Sequence, residues 1–99
     1  MNYTVSIHNK AEEEYEAAYN WYLREKVGLE ERFFEAISER LKQIAIGPEL
    51  YSIKNNSCRE VLVSGFPYVI IYRVHKRKKI VDVIAIHHTI RKPKKKYNR

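Results

Sequence analysis

One cysteine, Cys58, stands in the 99 residues. A lone thiol excludes an internal disulfide and half of a paired-cysteine metal knuckle. Long apolar runs are missing too. Stretches such as Val69-Ile70-Ile71-Tyr72 fall far short of the roughly 20 residues that cross a bilayer. No charged-apolar-small leader opens the chain, so the cytoplasm is the expected compartment. No amphipathic helix accompanies the basic C-terminal residues, and no membrane partner is expected. Acids are scarce in one half only: residues 51–99 hold 2 acids against 13 bases, whereas residues 1–50 hold 10 acids against 6 bases.

That asymmetry accounts for the net charge of +7. It implies a basic surface built onto the second half, and such a surface is suited to polyanion. Hydrophobic residues make up 44% and charged residues 31%, enough apolar material for the chain to fold. The length allows one core, because two would each be too small to offset the entropy of ordering. Residues 1–91 are expected to form that single domain. Residues 92–99 read as a basic tail, mobile unless a partner orders it.

Tyr3, Val5 and Ile7 alternate with Thr4, Ser6 and His8, the two-residue period of a strand with one buried face. Asn9 is positioned to cap a following helix, with Glu12 as the capping-box acid. Ala11, Tyr15, Ala18 and Tyr22 then form one helical stripe and Gly28 ends it. Leu29, Phe33, Ile37, Leu41 and Ile44 form a second stripe, with Gly47 expected as a left-handed cap before Pro48. Residues 47–57 read as a surface loop. Arg59–Val63, Pro67–His75 and Ile80–His87 are rich in β-branched and aromatic residues and read as three strands joined antiparallel by short turns. The fold class is therefore α+β: an N-terminal strand and a helical hairpin packed on a small antiparallel sheet, in the order β-α-α-β-β-β.

With that order, several fragments gain meaning together: Trp21-Tyr22, Gly28-Leu29 with Arg32-Phe33, Pro48 with Tyr51, and Arg59. Phe66-Pro67-Tyr68, Ile71-Tyr72-Arg73-Val74, Ile84-Ala85-Ile86-His87 and Arg91-Lys92-Pro93 complete the set. The chain resembles the RelE/ParE superfamily of toxins from bacterial type II toxin–antitoxin systems over nearly its whole length. The resemblance implies a toxin neutralised by a cognate antitoxin protein, in a hetero-oligomer. It implies two alternative targets. RelE-like members cut messenger RNA on the ribosome, and ParE-like members block DNA gyrase. A third reading is a non-toxic nucleic-acid or protein adaptor on the same scaffold.

Cutting RNA needs a proton carrier and several cations around one phosphate. The resemblance to RelE-like nucleases places their strand-borne arginines, by ungapped matching at Tyr72 and Ile84-Ala85-Ile86, on Val69 and Thr89, and neither can stabilise a dianion. This favours the ParE-like branch. If the chain is a nuclease, it is a metal-independent one and the candidates are His88, Arg91 and Arg73. Arg59, Lys54, Lys76, Arg77, Lys78, Lys79, Lys94, Lys95, Lys96 and Tyr97 are candidates for nucleic-acid or target contact.

Each candidate has a plainer reading. His87 and His88 are adjacent on a strand and face opposite sides, so they cannot share a metal; no metal and no cofactor is expected. One of them should lie at the core edge and the other in solvent. Arg59, Arg73 and Arg91 can pair with Glu60, Asp82 or helix carboxylates, and lysines at a hairpin tip keep strand edges soluble. Tyr15 and Tyr22 belong to the core, which leaves Tyr51, Tyr72 and Tyr97 for base stacking. Glu12, Glu13, Glu16, Glu30, Glu31 and Glu35 form the solvated face of two helices or shape a site where an antitoxin docks.

Overall fold

The computed structural model describes residues 2–90. Strand β1 (Thr4–Ile7) leads into helices α1 (Asn9–Glu25) and α2 (Leu29–Ile46), a 3₁₀ turn at Pro48–Leu50, and strands β2 (Ile53–Asn55), β3 (Cys58–Leu62), β4 (Tyr68–His75) and β5 (Ile80–His88). The five strands form one sheet in the order β1-β5-β4-β3-β2. The β3-β4 and β4-β5 pairs are antiparallel, as the short turns require, whereas β1 runs parallel to β5 with Thr4 opposite Ile80. The sheet is therefore mixed, because the helical hairpin carries the chain away from β1 before β5 returns beside it.

Residues 47–57 are more ordered than a surface loop. They hold the Pro48–Leu50 turn and β2, which joins β3 through Asn56 and Ser57 at φ 49° and 62°. Both central residues being left-handed matches the tight hairpin turn that suits the twist of paired strands. The expected N-cap also moves by one residue. His8, not Asn9, caps α1, its Nδ1 accepting from the Lys10 amide at 3.0 Å. The His8 amide donates to the Val83 carbonyl at 2.8 Å and keeps His8 extended as β1 ends, so the first helical residue is Asn9. Gly47 is not a left-handed cap either: its φ is −138°. The left-handed glycine is Gly28, at φ 91°, which turns α1 into α2.

The hairpin covers one face of the sheet. Tyr22, Phe33, Ile37 and Ile44 pack on Ile70, Tyr72, Val81 and Val83, all buried. Cys58, Val69, Ile71, Ile84 and Ala85 form a smaller cluster on the opposite face. Burial of β4 on both faces explains why Tyr68 to Tyr72 read as a continuous apolar run rather than an alternation. A register shift lets Ile71 pair with Ala85 while Tyr72 pairs with Val83, leaving Ile84 as an extra residue in β5. Past the point where β1 ends, Glu14 Oε1 on α1 accepts from the Ile86 amide at 3.0 Å. A side chain thus replaces the missing strand partner.

Candidate target-binding surface

The C-terminal end of β5 lies against an aromatic cluster. Tyr22, Phe33, Phe66 and Tyr68 meet with ring centroids 5.0–6.2 Å apart, mostly edge to face, an arrangement favoured by the ring quadrupoles. His88 pairs with Tyr68 across the strands and lies edge-on to its ring at 5.1 Å, while its Nδ1 accepts from the Ile90 amide at 3.1 Å. His87, one residue earlier, faces the other side of the sheet opposite Val69 and is buried.

Arg73 is not brought to His88. It lies five residues along β4 from Tyr68, about 17 Å at ~3.3 Å per residue, and on the opposite face, beside the Cys58 thiol. Burial pushes that thiol up from its ordinary value, and the Arg73 guanidinium works against the shift. Arg91, Lys94, Lys95, Lys96 and Tyr97, together with the expected mobile tail, lie outside the described residues.

The other candidates divide. Arg59 pairs with Tyr72 across the strands and faces the helical side, where its Nη1 donates to the carbonyls of Tyr51 at 2.5 Å and Glu49 at 3.4 Å. Its guanidinium straps the 48–51 segment onto the sheet. Lys76, at the β4-β5 tip, pairs with Glu49 at 2.8 Å; this hydrogen bond holds the exposed Glu49 carboxyl below and the Lys76 amine above their ordinary values. Lys79 sits over the Tyr3 ring at 5.1 Å. Among the described residues, Lys54, Arg77 and Lys78 have no ion pair. Lys54 belongs to edge strand β2, two strands or about 10 Å across the sheet from β4. The expected single basic surface is thus split between the tip, one edge and two opposite faces.

Tyr72 is fully buried, and its hydroxyl donates to the Pro48 carbonyl at 2.6 Å. It is a core residue and not a stacking platform. Tyr51 is half-buried against the same core.

A second surface lies on the hairpin, beside glutamates of the acidic set named from the sequence. Phe34 is 53% exposed although Phe33 beside it is fully buried. It lines a cleft of about 310 Å³ together with Ile7, Tyr15, Ile37, Leu41 and Ile86, with Glu12 and Glu16 on the α1 side. Two adjacent phenylalanines on a helix cannot both enter one stripe, and that pair was the signal available in the sequence.

In fold, the chain is a RelE/ParE-like α+β protein. It is similar to a chromosomal ParDE toxin–antitoxin system from P. aeruginosa, with a TM-score of 0.71 at 18% identity over 87% of this chain and 95% of that one. It is similar also to the E. coli toxin RelE, solved as a double mutant in the free state, with a TM-score of 0.65 at 18% identity over 91% and 86% of the two chains. The intact E. coli RelBE toxin–antitoxin complex matches with a TM-score of 0.64 at 21% identity over 90% and 99%. No curated protein is similar enough in sequence to match. Residues 5–93 match the family described as the ParE toxin of the type II toxin–antitoxin system, parDE, and the chain belongs to that family. Among the described residues, no helix is long and apolar enough to cross a membrane.

Proposed function

We propose that the chain arrests growth by binding DNA gyrase and is neutralised by a cognate antitoxin, acting as a binding protein and not as a nuclease. The observation that carries this reading is the separation of His88 from Arg73, about 17 Å apart on opposite faces of the sheet. A phosphorane needs its proton carrier and its cations within hydrogen-bond reach of one phosphate. Val69, buried, and Thr89, whose amide donates to Pro67, add no cation where the resemblance to RelE-like nucleases would put one. The family to which residues 5–93 belong supports the same branch.

A supercoiling assay tests it. Purified chain should inhibit gyrase at a few-fold excess, and added antitoxin should restore supercoiling; gyrase unaffected at large excess rules the reading out.

The similarity in fold to the E. coli toxin RelE, with His88 half-buried at a strand end, favours one alternative: a ribosome-dependent endoribonuclease. On that reading, messenger RNA on programmed ribosomes is cut, and His88→Ala abolishes both cutting and toxicity. Intact messenger RNA with undiminished toxicity of His88→Ala removes the alternative.

A further inference from the structure

The turn at residues 48–51 is held from three sides. The Tyr72 hydroxyl donates to the Pro48 carbonyl, Arg59 donates to the carbonyls of Glu49 and Tyr51, and Lys76 pairs with the Glu49 carboxylate. Yet Leu50, in the middle of this turn, is 82% exposed. An exposed leucine on a fixed backbone adds nothing to the core, but it lowers the ordering cost that a partner meets.

A groove of about 460 Å³ opens beside the turn, along the β2-β3 edge of the sheet. Leu50 and Leu62 form its lips, and Val69, paired with Leu62 across the strands, forms its floor. Leu62 is 61% exposed, and its backbone is held as well: Arg40 on α2 donates through Nε to the Leu62 carbonyl at 2.9 Å. Both lips are thus apolar side chains presented to water on braced backbone.

The charge around the groove is cationic. Lys54 lines it and, among the described residues, has no ion pair. Lys76, Arg59 and Lys79 all act on Glu49, next to Leu50. These four cations face two carboxylates, Glu49 and Glu60, so the surroundings attract acidic groups. Nucleic acid is the poorer fit, because both lips are aliphatic and the Tyr51 ring packs against the core, which leaves a base little to stack on.

We infer that this groove is the surface through which the chain meets its protein target, taking a segment that carries apolar side chains flanked by aspartate or glutamate. On the reading of the chain as a gyrase inhibitor, on which this assignment rests, the segment belongs to gyrase. Target contact is then made at the β2-β3 edge and not in the Phe34 cleft of the hairpin.

The test measures inhibition of DNA supercoiling by purified gyrase, and binding of gyrase to the immobilised full-length chain, for wild type, Leu50→Asp, Leu62→Asp and Lys54→Glu. All three side chains are exposed, and unchanged circular dichroism and melting confirm folding. Phe34→Asp serves as an exposed apolar site elsewhere. Leu50→Asp and Leu62→Asp should each weaken binding and inhibition by about tenfold or more, the scale of losing an interface anchor. Lys54→Glu should weaken both by about fivefold at low salt, with the gap closing as salt screens the charge. Phe34→Asp should stay within about twofold of wild type, as a side chain outside the contact does.

If wild type inhibits gyrase and the three groove variants match it, the groove is overturned and the gyrase reading stands. Loss of binding by Phe34→Asp alone moves the contact to the hairpin and overturns the groove equally. If Leu50→Asp instead abolishes binding to bare DNA, or self-association of the free chain, the occupant is nucleic acid or a second copy and the proposal falls. If wild type leaves gyrase untouched yet arrests growth, the gyrase reading falls. The groove then stands where folded Leu50→Asp restores growth, and falls where growth stays arrested.

Discussion

Tyr72 is fully buried, and its hydroxyl ends on the Pro48 carbonyl. Tyr72→Phe leaves that carbonyl unpaired and should cost about 1–2 kcal/mol in urea unfolding. Burial also pushes the phenol up to about 12. Because the folded value lies above that of the unfolded chain, stability is intact below about pH 10 and falls as pH rises toward 12. Tyr72→Phe should therefore flatten the alkaline limb of a stability–pH profile, and the limb keeps a residual slope from Tyr15 and Tyr22, whose phenols burial also raises. Arg59 and Lys54 make a contrasting pair. Both are bases of the cationic half, but Arg59 bonds two carbonyls and Lys54 has no ion pair among the described residues. Arg59→Ala should lower stability by about 1.5–3 kcal/mol, the range for hydrogen bonds to charged groups, while Lys54→Ala should stay within about 0.5 kcal/mol of wild type. Equal denaturation midpoints for the two variants would contradict the strap.

The hairpin shows where glycine is required and where it is not. Gly28 sits at φ 91° with open space where a methyl group would project, so Gly28→Ala is strained by its backbone alone and should cost about 1 kcal/mol. At Gly47 an added Cβ would meet the Leu50 side chain at 2.6 Å. Leu50 is 82% exposed and can swing away, and φ there is negative, so thermal melts should show Gly47→Ala close to wild type. Both helices are legible in the sequence because their stripes repeat at the helical period, and β3 to β5 are legible from β-branched runs. The parallel placement of β1 is not, since alternation reveals a strand but not its neighbour. Strand β2 leaves no signal because its three side chains are all exposed and show no apolar period. The candidate site is less legible than the fold. Arg59, Arg73 and His88 are recognisable as chemistry-bearing residues, but their faces depend on strand register, which composition does not encode.

The opposed charges of the two halves end on different surfaces. Exposed glutamates lie on the hairpin, while Arg77 and Lys78, without an ion pair among the described residues, lie at the β4-β5 tip. A single partner that covers both stabilises the folded chain by mass action. At antitoxin concentrations about 100 times Kd, the gain should be about 2.7 kcal/mol, and the melting temperature should keep climbing with the logarithm of antitoxin concentration. A melting temperature indifferent to saturating antitoxin would exclude a folded-state partner. The sheet order has a consequence for biosynthesis. Its bridge between β1 and β4 is β5, residues 80–88, the last strand described. A nascent chain that has displayed only its first three quarters has helices but no completed sheet, and its first strand waits for a neighbour not yet translated. Premature termination anywhere before that strand therefore releases a polypeptide unable to assemble, and an open reading frame truncated there is disarmed.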